Sequence, residues 1–424
     1  MYGHQRYAVA LQVARFIVYM LTTAIFVRLW SYNNAVLAAC TLAFFATMAA
    51  RLAISPVVPT ISSEFGVSNG AIGAALTGMW LAYALSQFPS GLLGDRIGER
   101  AVIMIAIVGT AVMSVLLALS PGYALFFTGA IALGIMAGLH YSVATSLLTR
   151  TFRKTGMAIG IHSAGAPLAG IVTPIAVGSI GAILGWRYAV AFGAFAAVPT
   201  AIFFYALVRP TPPSRPDTAI TDRLKTGPIF KLLARPPILL TGLLALVGAF
   251  VWQATASFLP TFLVEYHSYS EPQAGILFSI YFVVQGIAQP GIGRLSDWVG
   301  RYPAAILATL AGVTGYTLFV WASSALLLTM ATMMAGVAMS WGAALLPKFM
   351  DHLSAEERGA GFGLIRTSYM VLGATGSVAT GMIADFFGWG AAFLLLAVLL
   401  AGMSAVMMLA LRYVSSIGAR AFPE

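Results

Sequence analysis

Charge is the first thing this chain lacks. Only 8% of its 424 residues are Asp, Glu, Lys or Arg, against 60% hydrophobic residues and a mean hydropathy of +0.90. A water-soluble domain carries about 25% charged residues to cover its surface, so a soluble fold is excluded. Cysteine is reduced to Cys40 alone, which rules out an intramolecular disulfide and reads as a small packing residue in an apolar run. There is no P-loop pattern, no metal-ligand cluster and no nucleophile–base pair, so no cofactor is expected and ATP-driven chemistry is not supported. A soluble sensor domain is also missing.

What the chain has is long apolar runs. At about 20 residues per crossing, its length accommodates about a dozen membrane spans. We place them at 35–59, 70–93, 100–119, 123–148, 156–183, 187–208, 237–262, 273–293, 303–322, 324–347, 360–383 and 389–412. Each must be helical, because a lone span in lipid has to satisfy its own backbone hydrogen bonds. The fold class is therefore all-α and polytopic, with the lipid bilayer as its surroundings.

A net charge of +10 would suggest nucleic acid in a soluble protein, but here it follows topology, and no nucleic-acid partner is expected. One set of loops carries Arg96, Arg100, Arg150, Arg153, Lys154, Arg294, Arg301, Lys348 and Arg358. The opposite set carries Glu64, Glu265 and Glu271, with Arg187 as its basic exception. The positive-inside rule makes the basic side cytoplasmic, so both ends of the twelve-helix body face the cytoplasm of a cell membrane. Residues 210–236, rich in proline and basic residues, read as a cytoplasmic linker between a first bundle at 34–209 and a second at 237–413. Residues 414–424 form a tail. In the extension at 1–33, Gln12, Arg15, Tyr19 and Thr22 form a polar stripe, as expected of an interfacial helix.

The two bundles repeat in one register. Pro59-Thr60, Glu64 and Pro89 recur 201 residues later as Pro260-Thr261, Glu265 and Pro290. Asp95 recurs as Asp297 at an offset of 202, and Gly185-Trp186 as Gly388-Trp389 at 203. Internal repeats mark secondary transporters. Between spans 2 and 3 the chain reads Gly91-Leu92-Leu93-Gly94-Asp95-Arg96-Ile97-Gly98-Glu99-Arg100. A degenerate copy, Gly293 to Arg301 with Asp297 and Gly300, follows span 8. This motif resembles the cytoplasmic loop signature of the major facilitator superfamily, and the resemblance covers about residues 35–412. It implies two six-helix bundles rocking around a central site, driven by gradients rather than ATP. It also implies gating by Gly91, Gly94, Asp95, Arg96, Gly98 and Arg100, with a weaker second gate at Gly293, Asp297, Gly300 and Arg301. We expect Asp95 to accept hydrogen bonds from a helix N-terminus of the other bundle. Four-residue glycine spacings at 134/138, 156/160 and 359/363 predict close helix crossings.

Ionisable residues at membrane depth mark the site. Arg51 in span 1 and Arg366 in span 11 are basic, and no Asp or Glu lies deep in a span. A positive cavity favours an anion, so the expected solute is a small carboxylate or inorganic oxyanion. A basic residue in span 11 is similar to what oxalate/formate exchangers use, and nitrate/nitrite porters use paired arginines. His140, His162, Trp252, Tyr369 and the span 8 stripe Tyr281, Gln285 and Gln289 complete the expected substrate contacts. Two rivals stand beside this: an efflux transporter for lipophilic compounds, and a membrane enzyme or sensor. The protein is expected to be a monomer.

Overall fold

The computed structural model describes residues 31–213, 232–354 and 360–421. The N-terminal helix expected within 1–33 and most of the linker lie outside the described residues. Among the described residues all regular structure is helical, and 11 helical stretches are long and apolar enough to cross a membrane. The last, Gly363–Tyr413, contains a non-helical residue, Gly388 (φ +83°), where the sequence places the boundary between spans 11 and 12.

In chain order the helices are α1 (Tyr32–Leu52), α2 (Val58–Phe65), α3 (Asn69–Ile97), α4 (Glu99–Ala118), α5 (Tyr123–Gly138), α6 (His140–Thr151), α7 (Thr155–Ser163) and α8 (Gly165–Leu184). There follow α9 (Trp186–Leu207), α10 (Pro236–Glu265), α11 (Glu271–Val299), α12 (Arg301–Trp321), α13 (Ala325–Ala338), α14 (Trp341–Asp351), α15 (Ala360–Gly373) and α16 (Thr375–Ala421). Span 1 is α1 and α2 joined by a 3-10 turn at Ser55–Val57, where Pro56 and Pro59 remove backbone donors. Spans 4 and 10 are each broken near mid-membrane, at Leu139 and at Met339–Ser340. The last helix continues to Ala421, through most of the residues read as a tail.

The repeat extends to the backbone. Among the described residues six have positive φ: Gly66, Gly98, Gly185, Ser268, Gly300 and Gly388. They form three pairs at offsets of 202, 202 and 203: Gly66 with Ser268, Gly98 with Gly300, and Gly185 with Gly388. Gly185 and Gly388 turn the chain so that the next residue, a tryptophan, meets a glutamate. Trp186 Nε1 donates to Glu64 at 2.5 Å, and Trp389 Nε1 donates to Glu265 at 2.7 Å. Arg187, the basic exception, is held at this same end by Glu64 at 2.6 Å.

The acidic end is closed by two crossings that obey the same register. A Cβ on Gly73 would lie 2.6 Å from the Ser377 carbonyl oxygen, and one on Gly275 would lie 2.3 Å from that of Pro174. Likewise a Cβ on Gly381 would lie 2.4 Å from the Asn69 carbonyl oxygen, and one on Gly178 2.7 Å from that of Glu271. Helices α3 and α16, and α8 and α11, therefore touch backbone to backbone. Asp385 strengthens the first crossing by accepting from Asn69 N at 3.0 Å and Gly70 N at 2.7 Å, at the positive end of the α3 dipole. Glu271 accepts from the Thr60 hydroxyl at the second.

The basic end is less tightly packed by the same measure. Among the described residues, nothing stands within 4 Å of a Cβ placed on Gly91, Gly156, Gly160, Gly291 or Gly363. This corrects the expected close crossings at 156/160 and at Gly363, since their glycines face space in this conformation; Gly359 lies outside the described residues. The 134/138 spacing does make one: a Cβ on Gly134 would lie 2.1 Å from Met79 O, and one on Gly138 2.5 Å from Tyr83 O, both in α3. Replacing Gly134 with Val should accordingly cost about 1–3 kcal/mol by overpacking and lower the melting temperature of the purified protein. Gly160→Ala should leave it unchanged or raised, and equal losses in the two variants would contradict this packing.

Candidate functional site

Arg51 lies in the last turn of α1, in the middle of its span, and is 1% exposed. It does not reach for either membrane surface. Its Nε donates to the Thr47 carbonyl at 3.1 Å, and its guanidinium stands 3.8 Å from the centre of the Tyr83 ring and 4.9 Å from that of Trp80. No carboxylate pairs with it among the described residues, and Nη2 has no acceptor. A ring face offsets about 2 kcal/mol of a desolvated cation's cost. Burying the ion costs several kcal/mol, and the missing charge-assisted hydrogen bond is itself worth about 1.5–3 kcal/mol. The balance favours an acceptor arriving at Nη2.

Arg366 approaches from α15 across the molecule. Its guanidinium lies 5.0 Å from the centre of the Tyr141 ring, with the phenols of Tyr369 and Tyr83 close by. Tyr83 thus neighbours both guanidinium groups. Arg366 is partly exposed where Arg51 is not.

The two histidines adjoin this cluster. His140 opens α6 just after the break in span 4, and His162 lies near the end of α7 just before a break in span 5. Their ring centres are 5.3 Å apart, and His162 stacks on Tyr141 at 5.6 Å. Phe44 contacts both imidazoles. Both histidines are fully buried, and none of their four ring nitrogens has a hydrogen-bond partner. The Cys40 carbonyl lies towards both rings without reaching hydrogen-bond geometry.

The remaining expected contacts divide. Trp252 packs edge-on against Trp80 at 5.4 Å, beside Arg51, and Tyr369 stands at Arg366. Next to Trp252, Gln253 donates to the Met370 carbonyl at 3.2 Å and leaves its oxygen unpaired. In the α11 stripe, the ring of Tyr281 packs on Phe278 and Phe282 rather than on the arginine cluster. Gln285 is half-buried with an unpaired oxygen, and Gln289 is exposed towards the basic end. Phe44, Trp80 and Tyr83 were not distinguishable in the sequence from ordinary packing aromatics.

At the basic end the loop residues bind locally. Arg100 donates to the Tyr205 carbonyl at 2.9 Å and covers the Tyr205 ring, while its N–H donates to the Thr211 hydroxyl. A Cβ on Gly98 would overlap the Thr211 carbonyl. Arg301 donates to Asp297 and to Ser296, each at 3.0 Å. Gly94 packs against Val143, and Arg96 is exposed. The sequence did not single out Glu99, which is buried and ion-paired with Arg150. In this conformation Asp385 caps a helix N-terminus across the molecule, at the opposite end from Asp95.

The profile of the Major Facilitator Superfamily matches residues 40–270 and 241–421. The chain belongs to that superfamily and is a multi-pass membrane protein. It is 23% identical over 261 residues to the hexuronate transporter of Bacillus subtilis (strain 168), covering 60% of this chain and 62% of that one. It is 24% identical over 330 residues to the probable nitrate transporter NarT of Staphylococcus epidermidis, covering 77% and 82%. The aligned stretch spans only 25% and 44% of two further bacterial relatives. The crystal structure of a bacterial homologue of the human lysosomal transporter Spinster, inward-facing and unoccupied, superposes with a TM-score of 0.75. That pair is 19% identical and the match covers 90% of this chain and 98% of the other, which establishes the superfamily fold.

Because Arg51 is buried without a counter-charge, its replacement by an apolar residue of similar length relieves the ligand-free protein. Arg51→Met should raise the melting temperature of the empty protein, by about 1–4 kcal/mol of stability. A marked fall in the melting temperature would show that Arg51 serves the fold instead.

Proposed function

We propose that this chain is a secondary active transporter for a small anion, a carboxylate or inorganic oxyanion, working by alternating access. The observation that carries the proposal is Arg51, fully buried beside Tyr83 with no carboxylate partner and an unsatisfied Nη2. Arg366, reached from the open end, supplies the second positive charge. The anion first meets Arg366 and then settles against Arg51, with Tyr141, Tyr369 and Gln253 orienting it. Hexuronate and nitrate, named for the two relatives, are both anions.

In this reading twelve spans form two bundles, 34–209 and 237–413, joined by the linker at 210–236. The basic end is cytoplasmic, so the conformation is inward-open, with α3 against α16 and α8 against α11 sealing the outer side. Outward opening breaks the Asp385 cap on α3 and the Glu271–Thr60 contact. At the inner side Asp95 and Asp297, with Arg96, Arg100 and Arg301 and the glycines around them, close in the alternate state. The molecule works as a monomer in a cell membrane.

Uptake of labelled nitrate or a labelled hexuronate into proteoliposomes tests this. Arg51→Met and Arg366→Ala should each reduce uptake tenfold or more, the loss of one charge-assisted hydrogen bond at about 1.5–3 kcal/mol. Normal uptake by both variants rejects the anion site. A second reading, efflux of lipophilic compounds, draws support from the aromatic wall of Phe44, Trp80, Tyr83, Tyr141, Trp252 and Tyr369. Drug resistance on expression that persists in both arginine variants would favour it.

A further inference from the structure

Two imidazoles in contact, fully buried and without a single hydrogen bond, are not explained by packing alone. A histidine kept only for shape gains nothing from its nitrogens, and each unpartnered polar group buried from water costs free energy. The pair also occupies a distinctive place. His140 and His162 touch each other, Tyr141 and Phe44, and lie within electrostatic range of Arg51 and next to the Tyr141–Arg366 contact.

We propose that the His140–His162 pair takes up a proton when an anion binds at Arg51 and Arg366, so that solute and proton occupy the site together. This rests on the anion reading above.

The groups facing the pair decide the direction of coupling. From α1 come the Arg51 guanidinium and the buried Cys40 thiol; from α3 comes the Tyr83 phenol. Its own helix α6 contributes Tyr141, and α15 contributes Arg366 and Tyr369 beyond it. Two carboxylates lie on helices packed against α6, both at its basic end: Asp95 of α3, two residues from the end of that helix, and Glu99 of α4, which Arg150 already neutralises. The tyrosine of α5, Tyr123, lies at the acidic end, bonded to the Ala71 carbonyl. Every formal charge beside the pair is thus positive among the described residues. A proton on either ring of the empty site would add a third positive charge with no counter-charge nearby. An anion at Arg51 removes that opposition and supplies an acceptor for an imidazolium N–H. Binding of the anion therefore favours the proton, and by reciprocity the proton favours the anion.

The proton comes from water through the open basic end and sits on one ring nitrogen, with the lone pair of that nitrogen forming the new N–H bond. Two adjacent rings hold one proton rather than two, since a second would meet the first at about 5 Å. At membrane depth no Asp or Glu competes for it among the described residues: Glu64, Asp95, Glu99, Glu265, Glu271, Asp297, Asp351 and Asp385 all lie within about two turns of a span end by sequence position.

Calorimetric titration of the detergent-purified wild-type protein with sodium nitrate and with sodium galacturonate tests the proposal. Each titration is run at pH 6 in two buffers of different ionisation enthalpy. The expected result is an apparent enthalpy that differs between buffers by an uptake of about one proton per anion, with affinity falling up to tenfold per pH unit above neutrality. In the His140→Gln/His162→Gln protein, uptake should vanish while the anion still binds and the pH dependence flattens. Wild-type binding with no net proton uptake overturns the proposal and leaves the anion site standing. Uptake that persists in the double variant also overturns it. Failure of either anion, or of a wider panel of small anions, to bind removes both readings at once.

Discussion

Arg51, a buried cation with no carboxylate partner among the described residues, sets the terms for the centre of this molecule. Its desolvation costs several kcal/mol, which no carboxylate repays. The surroundings reduce the cost by the means available in an apolar interior. Tyr83 and Trp80 present their ring faces, and Thr47 lends a carbonyl one turn back. These contacts hold the side chain in one place without neutralising it. Under the anion-transport reading proposed above, a site that is positioned but unsatisfied suits a solute that must bind and then leave, because a tight internal ion pair would have to be broken on every cycle.

The two ends of the molecule solve the complementary problem. At the acidic end, glycines let backbones meet at distances that any Cβ would forbid, and the four contacts there form two pairs related by the repeat offset. Such a seam is cohesive through many weak contacts, yet it is fastened by few strong ones. The strongest is Asp385 on the α3 N-terminus, where charge and helix dipole meet. At the basic end the glycines at 156, 160 and 363 stand clear, with room for another helix to approach. Small residues in contact at one end and small residues standing clear at the other are what the proposed rocking between two packings would use.

Much of this was legible in the sequence, and the limits have physical causes. Span positions were readable because lipid imposes a length and a composition on every crossing. The repeat was readable because glycine, proline and tryptophan at fixed offsets do local geometric jobs, and the paired positive-φ residues and paired tryptophan–glutamate bonds are those jobs. Asp385 was not readable as a clasp, since its partners lie more than 300 residues away and nothing local distinguishes it from a loop carboxylate. Tyr83 and Trp80 were invisible for another reason: an aromatic in an apolar helix looks the same whether it packs or cradles a cation. Glycine spacing predicted contacts without saying in which conformation they form, so it succeeded at Gly134 and Gly138 and missed at Gly156 and Gly160.

The geometry of duplication explains why the polar residues converge. Equivalent positions of the two repeats lie opposite each other near the centre: Ser55 donates to the carbonyl of Ala256, its counterpart at an offset of 201. Arg51 and Trp252 are counterparts by the same offset, and both pack on Trp80. His162 corresponds to Ile365, the neighbour of Arg366, and Tyr141 touches both His162 and Arg366. A symmetric ancestor would place like residues face to face at such points, and two facing arginines would repel. Divergence in one copy turns each meeting point into a cation opposite an aromatic ring or an imidazole. The asymmetry that the repeat register exposes is thus concentrated where the two copies meet, and there a buried charge can be held without being cancelled.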